Sequence, residues 1–337
     1  MAIKGVLMQV SLTVWSITVA LVALLITIDL FTASRKPHDV KFKEAISWTL
    51  FYVGISIGFG IWVWSSYGSK FGTEFFAAYL VEYSLSIDNL FIFVIILAQF
   101  AVPSIFHQRV LLIGVVLALI LRAIFIAIGA AAISAFSFTF VIFGAILIWT
   151  GVGLFKHWDE DPDPNDNLLV RKLRSSVAMV DEFHGTKLFI KLNGKRFATP
   201  MFLVIVAIAS TDLLFALDSI PATFGVTSET FLVFTANAFA LLGLRALYFL
   251  LKGLLDKLIY LSLGLSIILM FIGVKLVLTF AHEEYAQIPK IPTVASLGVI
   301  AAILVVSTIA SLIKSKADPT AKAHAGRITA PDEQKTQ

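Results

Sequence analysis

Nine stretches of roughly 20 mostly apolar residues recur along this chain, at about 11–31, 45–65, 73–99, 109–133, 136–155, 200–223, 230–251, 257–280 and 292–313. Each is long enough to cross the hydrocarbon core of a bilayer as a helix. No water is available there to satisfy backbone N–H and C=O groups, so the segments must satisfy them internally. The expected fold class is an all-α membrane protein with about nine transmembrane helices. Charged residues make up only 14% of the 337, against about a quarter in soluble domains. That excludes a soluble enzyme, a disordered chain and a secreted disulfide scaffold. With no cysteine, disulfides, thiolate metal sites and thiol redox couples are excluded as well.

The net charge of +4 is no argument for nucleic acid, because in a membrane protein basic residues report orientation. Of the 26 Lys and Arg, 20 fall in the odd-numbered loops and the C-terminal tail and 3 in the N-terminal tail and even-numbered loops. The remaining three, Arg122, Arg245 and Lys275, lie within spans. The positive-inside rule therefore predicts the N-terminus outside and the C-terminus in the cytoplasm. Span one lacks a basic lead and a small-residue cleavage site, so it reads as a retained helix. The expected setting is the bacterial plasma membrane, with the lipid bilayer as the first partner.

These breaks divide the chain into an outer tail (1–10), spans one and two (11–72), a unit of three spans (73–155), a cytoplasmic loop (156–199), a second unit of three spans (200–280), an outer loop with span nine (281–313) and a cytoplasmic tail (314–337) expected to be disordered. Thr199-Pro200 reads as a helix start, with Thr at the cap and Pro in the first turn. The loop's acidic cluster Asp159-Glu160-Asp161-Pro162-Asp163 lacks the glycine of an EF-hand and reads as solvated.

The two units resemble each other. Ser86-Ile87-Asp88-Asn89-Leu90-Phe91 matches Ser210-Thr211-Asp212-Leu213-Leu214-Phe215 at four of six positions. Leu121-Arg122-Ala123 answers Leu244-Arg245-Ala246, and Ile146-Leu147 with Gly151-Val152 answers Ile268-Leu269 with Gly273-Val274. The offsets are 124, 123 and 122 residues. An odd number of spans per unit inverts the second against the first. The pattern predicts an inverted three-helix repeat, a plan of secondary transporters with a site at the repeat interface near the midplane.

The charges inside the spans point to that site. Glu82 and Asp88 lie in span three, and Asp212 and Asp218 in span six. An ionised Asp at a helix centre costs about 2.5–3.5 kcal/mol on insertion scales, so such residues pair, line a wet cavity or bind an ion. Ser86, Asn89, Ser210, Thr211 and Ser219 surround them and offer oxygen ligands, which suit Mg, Ca or Mn. The six histidines all read as loop or tail residues, which argues against zinc or copper. The competing reading is structural ion pairing, Asp88 with Arg122 and Asp212 with Arg245. On straight helices Glu82, Ser86 and Asn89 share a face, Asp88 lies about 120° from Glu82, Asp212 shares a face with Ser219, and Thr211 shares one with Asp218. Pro221 lacks an N–H and clashes with the Leu217 carbonyl, so a helix break there is expected to free carbonyl oxygens beside Asp218. Asn237 and Gln99 read as helix–helix hydrogen bonds and Asp29 as an interfacial residue. His282-Glu283-Glu284 reads as a solvated helix end.

Glu82-Tyr83-Ser84-Leu85-Ser86-Ile87-Asp88-Asn89 and Phe215-Ala216-Leu217-Asp218-Ser219-Ile220-Pro221-Ala222 resemble the two signature stretches of the TerC family, Alx-like members included. Gly243-Leu244-Arg245-Ala246-Leu247-Tyr248 and Asn193-Gly194-Lys195-Arg196-Phe197-Ala198-Thr199-Pro200 resemble further stretches of it, and the similarity runs from about residue 10 to 313. The family is named for tellurium resistance, and several members are associated with manganese export or with supplying metal to exported enzymes. By position, the resemblance implicates Glu82, Asp88, Asn89, Asp212 and Asp218. One departure is Ala209, where many members carry Glu.

The combined expectation is a secondary transporter, not an enzyme, that exports a divalent cation, with Mn2+ first among candidates. No cofactor is permanently bound, and the metal is cargo. Asp88, Asn89, Asp212 and Asp218 would form the ion shell. Glu82, Ser86, Thr211 and Ser219 would support it or couple protons, and Arg122 and Arg245 would balance charge. The alternative is a non-transporting membrane adaptor in metal or tellurite stress, with membrane or exported-protein partners. Two membrane Asp residues also raise an intramembrane protease, but its Gly-X-Gly-Asp and Tyr-Asp contexts are missing.

Overall fold

The computed structural model describes residues 8–34, 42–136, 138–160, 170, 172–173, 177–192, 195–251, 257–285, 288, 291–318, 321 and 324; within the helices, the side chains of residues 32–34, 88, 91, 98, 99, 214, 251, 283 and 284 lie outside that description. The long apolar runs become helices: α1 (Leu12–Ser34), α2 (Phe42–Tyr67), α3 (Ser69–Gln99), α4 (Ser104–Ala135), α5 (Thr139–Lys156), α6 (Pro200–Val226), α7 (Thr230–Leu242), α8 (Leu244–Leu251), α9 (Leu261–Glu284) and α10 (Thr293–Ala317). Among the described residues, eight helices are long and apolar enough to cross a membrane, and the number is nine if α7 and α8, bent by 40° at their junction, count as one span. Eight of the nine apolar stretches thus appear as single long helices, and the seventh as this bent pair. The break falls at Gly243, where a glycine disfavours continued helix. The outermost span, α10, continues to Ala317; most of the tail beyond it lies outside the described residues.

α3 occupies the centre, packed on α2, α6, α7 and α10. α4 packs on α6, and α5 lies along α9. α1 and α10 instead present Leu12, Ile17, Leu24, Val305, Val306 and Ile309 outward, as lipid-facing helices do. Small residues let α5 and α9 approach closely. A Cβ added to Gly273 would lie 2.8 Å from the Gly144 oxygen, and one added to Gly151 would lie 2.9 Å from the Ser266 oxygen.

Two expectations are corrected here. α6 runs through Pro221 without a break. Membrane helices tolerate proline when neighbouring groups use the freed carbonyls, and the chain bends at Gly243 instead. Within the 156–199 loop, β1 (Phe189–Leu192) and β2 (Lys195–Ala198) form an antiparallel hairpin with Phe189 opposite Ala198 and Leu192 opposite Lys195. The hairpin leads straight into α6. Thr199 holds the cap position with Pro200 first in the helix, but its hydroxyl donates to the Lys187 carbonyl at 2.6 Å and does not cap. Finally, His107 lies in the first turns of α4 and is buried, because α4 starts five residues earlier than the apolar run suggested.

Candidate ion site

Arg122, in the middle of α4, is fully buried and reaches two other helices. Its Nη1 donates to Glu82 Oε2 of α3 at 2.9 Å. Its Nη2 and Nε donate to Asp212 Oδ1 and Oδ2 of α6 at 3.1 and 3.4 Å. The side chains of Glu82 and Asp212 are 0% and 2% exposed. A guanidinium stays charged at any ordinary pH, and its planar fork matches a carboxylate with two parallel bonds. Far from water, such a charge persists only when its donors are met.

Two neighbours complete the cluster. The Thr223 hydroxyl donates to Glu82 Oε1 at 2.6 Å and also reaches the Ser219 carbonyl at 2.9 Å. Asn89 shares the Glu82 face of α3. Oriented as its surroundings require, its amide nitrogen donates to the Leu85 carbonyl at 3.0 Å and its oxygen accepts from Arg122 Nη2 at 3.1 Å. Glu82, Asn89, Arg122 and Asp212 are therefore brought together. With one cation against two carboxylates, the group carries a formal charge of −1 before Asp88 is counted. Asp88 directly precedes Asn89 in α3, but its side chain lies outside the described residues. Ser86 and Ser219 are each 1% exposed, and their hydroxyl oxygens have no hydrogen-bond partner among the described residues.

The other expected residues are placed differently. Asp218 points to α5, where the Thr150 hydroxyl donates to its Oδ1 at 2.8 Å; the described hydrogen bonds do not join it to the Arg122 cluster. Thr211 shares its side of α6, and its hydroxyl returns to the Ala207 carbonyl at 2.7 Å. The reason is the helical turn: six residues from Asp212 to Asp218 rotate the side chain well away. Among the described residues Arg245 bonds no carboxylate of α3 or α6. It pairs with Asp29 of α1, Nε to Oδ2 at 3.0 Å and Nη2 to Oδ1, while the Tyr52 hydroxyl donates to Oδ1 at 2.9 Å. Asp29 is thus buried within the protein, where it neutralises an arginine that would otherwise be stranded. Nearby in α8, the Tyr248 hydroxyl meets buried His107 Nδ1 at 3.0 Å. Asn237 is buried, and among the described residues neither of its amide atoms has a hydrogen-bond partner, so the helix–helix bond expected of it is not seen there. Gln99, Glu283 and Glu284 have side chains outside the described residues, and His282 bonds the Ile288 carbonyl through Nδ1 at 2.6 Å.

Sequence reasoning missed Thr150, Thr223, Glu74 and Thr227. The Thr227 hydroxyl donates to Glu74 Oε2 at 2.7 Å. The available signal was the four-residue spacing of Ser219, Thr223 and Thr227 up to the end of α6. Among the described residues, no three His, Cys, Asp or Glu side chains gather into a metal-holding group. Arg122 occupies the space between the two carboxylates that do meet.

Residues 67–319 match the integral membrane protein TerC family. An uncharacterized membrane protein of Myxococcus xanthus is 40% identical over 93% of this chain and 96% of its own length. Another from Mycobacterium tuberculosis (strain H37Rv) is 41% identical over 88% of this chain and 78% of its own length. Alx of Escherichia coli (strain K12), named as a candidate membrane-bound redox modulator, is 38% identical over 88% of this chain and 92% of its own length. No solved structure matches. A multi-pass membrane protein with bacterial relatives along most of its length, this chain belongs to the integral membrane protein TerC family.

Proposed function

We propose that this protein is a secondary transporter that exports a divalent cation, with Mn2+ the favoured cargo, and that Arg122 is the built-in counter-ion of the ion-free site. The observation that carries the reading is the buried Glu82–Arg122–Asp212 bridge. A cation arriving at this place would compete with the guanidinium for the same carboxylates. Two carboxylates cancel a 2+ ion, which lowers the penalty of holding it in a low-dielectric site. Asp88, Asn89, Ser86 and Ser219 supply further oxygens. Asp218 acts from the α5 side of α6 as a second carboxylate on the route.

An inverted repeat of α3–α5 against α6–α9 underlies the mechanism. Its support is the contact pattern of α5 and α9. Gly151 abuts Ser266 and Met270, while Gly273 abuts Gly144 and Ile148. Shifting each member of the second set by 122 residues, in opposite directions on the two helices, returns the first set. Likewise α3 packs on α7 as α6 packs on α4. One unit would rock against the other around the central cluster. The charge asymmetry puts the N-terminus outside and the hairpin loop inside.

Alx bears a redox name. This chain has no cysteine, so a redox effect here would run through metal supply and not through a thiol couple. The test is metal-resolved transport in proteoliposomes across Mn2+, Ca2+, Mg2+ and Zn2+, with and without a pH gradient. Mn2+ movement lost in Asp212→Asn supports the reading. Absence of any metal movement by well-inserted protein favours the adaptor, for which the loop hairpin offers a surface.

A further inference from the structure

We propose that the seam between α3 and α6 is the outward half of the ion path, and that Glu74 with Thr227 forms a second, shallower cation station at its mouth. This rests on the export reading above. On α3, Glu74 and Glu82 lie two turns apart, a rise of about 12 Å. Ser219 and Thr223 lie one turn apart on a single face of α6, and Thr227 is the extended residue that ends the helix, its N–H bonded to the Thr223 carbonyl. Each carboxylate takes a hydroxyl from the facing helix: Glu74 from Thr227 at 2.7 Å and Glu82 from Thr223 at 2.6 Å. A ladder of oxygen groups therefore runs from one end of the bundle to the Arg122 cluster.

Both ends of the ladder are marked. At the mouth lies a cavity of about 490 Å³, lined among others by Lys70, Thr73, Glu74, Thr227, Lys275 and Thr279. At the deep end are the Ser86 and Ser219 hydroxyls, 1% exposed and, among the described residues, without hydrogen-bond partners. Ser86 lies one turn beyond Glu82, and Ser219 one turn beyond Thr223. A seam built only for packing returns its hydroxyls to its own helix carbonyls, as Ser210 and Thr211 do. Buried hydroxyls left open beside a carboxylate leave oxygen ligands available to an ion or its water. Glu74 is itself 7% exposed, a carboxylate drawn in from the cavity wall. Lys70 and Lys275 at the same mouth repel cations, so an ion resting on Glu74 is held weakly and released outward. The station would take a hard divalent cation through carboxylate and hydroxyl oxygens.

A chain without cysteine gives a clean background for single-cysteine probes. Thr227→Cys, Thr223→Cys and Ser219→Cys, each in the full chain in proteoliposomes, are treated with a membrane-impermeant, positively charged thiol reagent from the Lys70 side, with and without Mn2+. Leu217→Cys, on the exposed side of α6, is the control. The expected result is modification at all three positions, slowing with depth and slowed further by Mn2+, with Leu217→Cys unreactive. Thr223→Cys and Ser219→Cys both as unreactive as the control would overturn the path. Ser219→Cys changes one atom and keeps the test alive if Thr223→Cys fails to fold. Glu74→Gln retains an acceptor for Thr227 but loses the charge, and should lower Mn2+ export about tenfold; an unchanged rate would overturn the station. Wild-type protein that moves no metal yet shows the graded labelling refutes the cargo reading and leaves the path standing. Wild-type export without deep labelling does the reverse.

Discussion

Arg122 and Asp212, 90 residues apart, are joined through two nitrogens and two oxygens in a site closed to solvent. Because Arg122 also holds Glu82, one guanidinium ties α3, α4 and α6 together at their most buried level. In such a place, removing one partner leaves a stranded charge, whereas removing all of them leaves none.

Arg122→Met should therefore destabilise the protein by about 3–5 kcal/mol, seen as a large fall in melting temperature in detergent. Glu82→Gln combined with Asp212→Asn in the Arg122→Met background should recover part of that stability without recovering transport. A triple variant no more stable than Arg122→Met would contradict the electrostatic account.

The Asp29–Arg245 pair should act as an anchor and not as an ion ligand. Asp29→Asn and Arg245→Met should each lower thermal stability, and the double variant should lose less than the sum, with a coupling of about 0.5–3 kcal/mol. Additive losses would mean that the two side chains do not stabilise one another.

The α5–α9 contact has no room for a side chain. Gly273→Ala and Gly151→Ala should each cost about 1–3 kcal/mol, and Gly58→Ala, whose added Cβ meets nothing within 4 Å, should be nearly silent. Melting temperatures of the three variants at equal expression check this.

Glu229, in the turn between α6 and α7, is pushed above the ordinary glutamate range, first by burial and then by the negative charge of Glu74; the Met8 backbone and Lys70 pull the other way. A carboxyl raised on folding favours the folded state when protonated. Its stabilising contribution is complete below its unfolded value and is lost as pH rises through the folded value. Glu229→Gln should accordingly match wild type at acidic pH and exceed it in thermal stability above the glutamate range. Parallel melting curves across that window would show that Glu229 is not so perturbed.

Much of the architecture was legible because it depends on local pattern. The apolar runs predicted the spans to within a few residues. The features that were not legible are those in which distant segments meet. His107 read as a loop residue because α4 begins at Ser104, before the long apolar run, and only the folded neighbours bury His107 and Gln108. The hairpin had a sequence signal, the Asn193-Gly194 pair between two extended runs, but apolar periodicity does not weigh turn residues. The break at Gly243 and the continuity at Pro221 reversed a ranking by propensity, since neighbouring helices decide whether a weakened turn holds.

The candidate site divides in the same way. That Glu82, Arg122, Asp212 and Arg245 sit where water is scarce follows from the sequence alone, because an apolar run of that length has to lie in lipid. Which acid meets which arginine does not follow from it. The like-numbered pairing of Asp212 with Arg245 gave way to Asp212 with Arg122 and Asp29 with Arg245, across units and out to α1. Ion pairing falls off within a few ångströms in side-chain space, and only the packing of α4 between α3 and α6 sets those distances. Hydropathy determined that these charges had to be neutralised; the tertiary fold decided by whom.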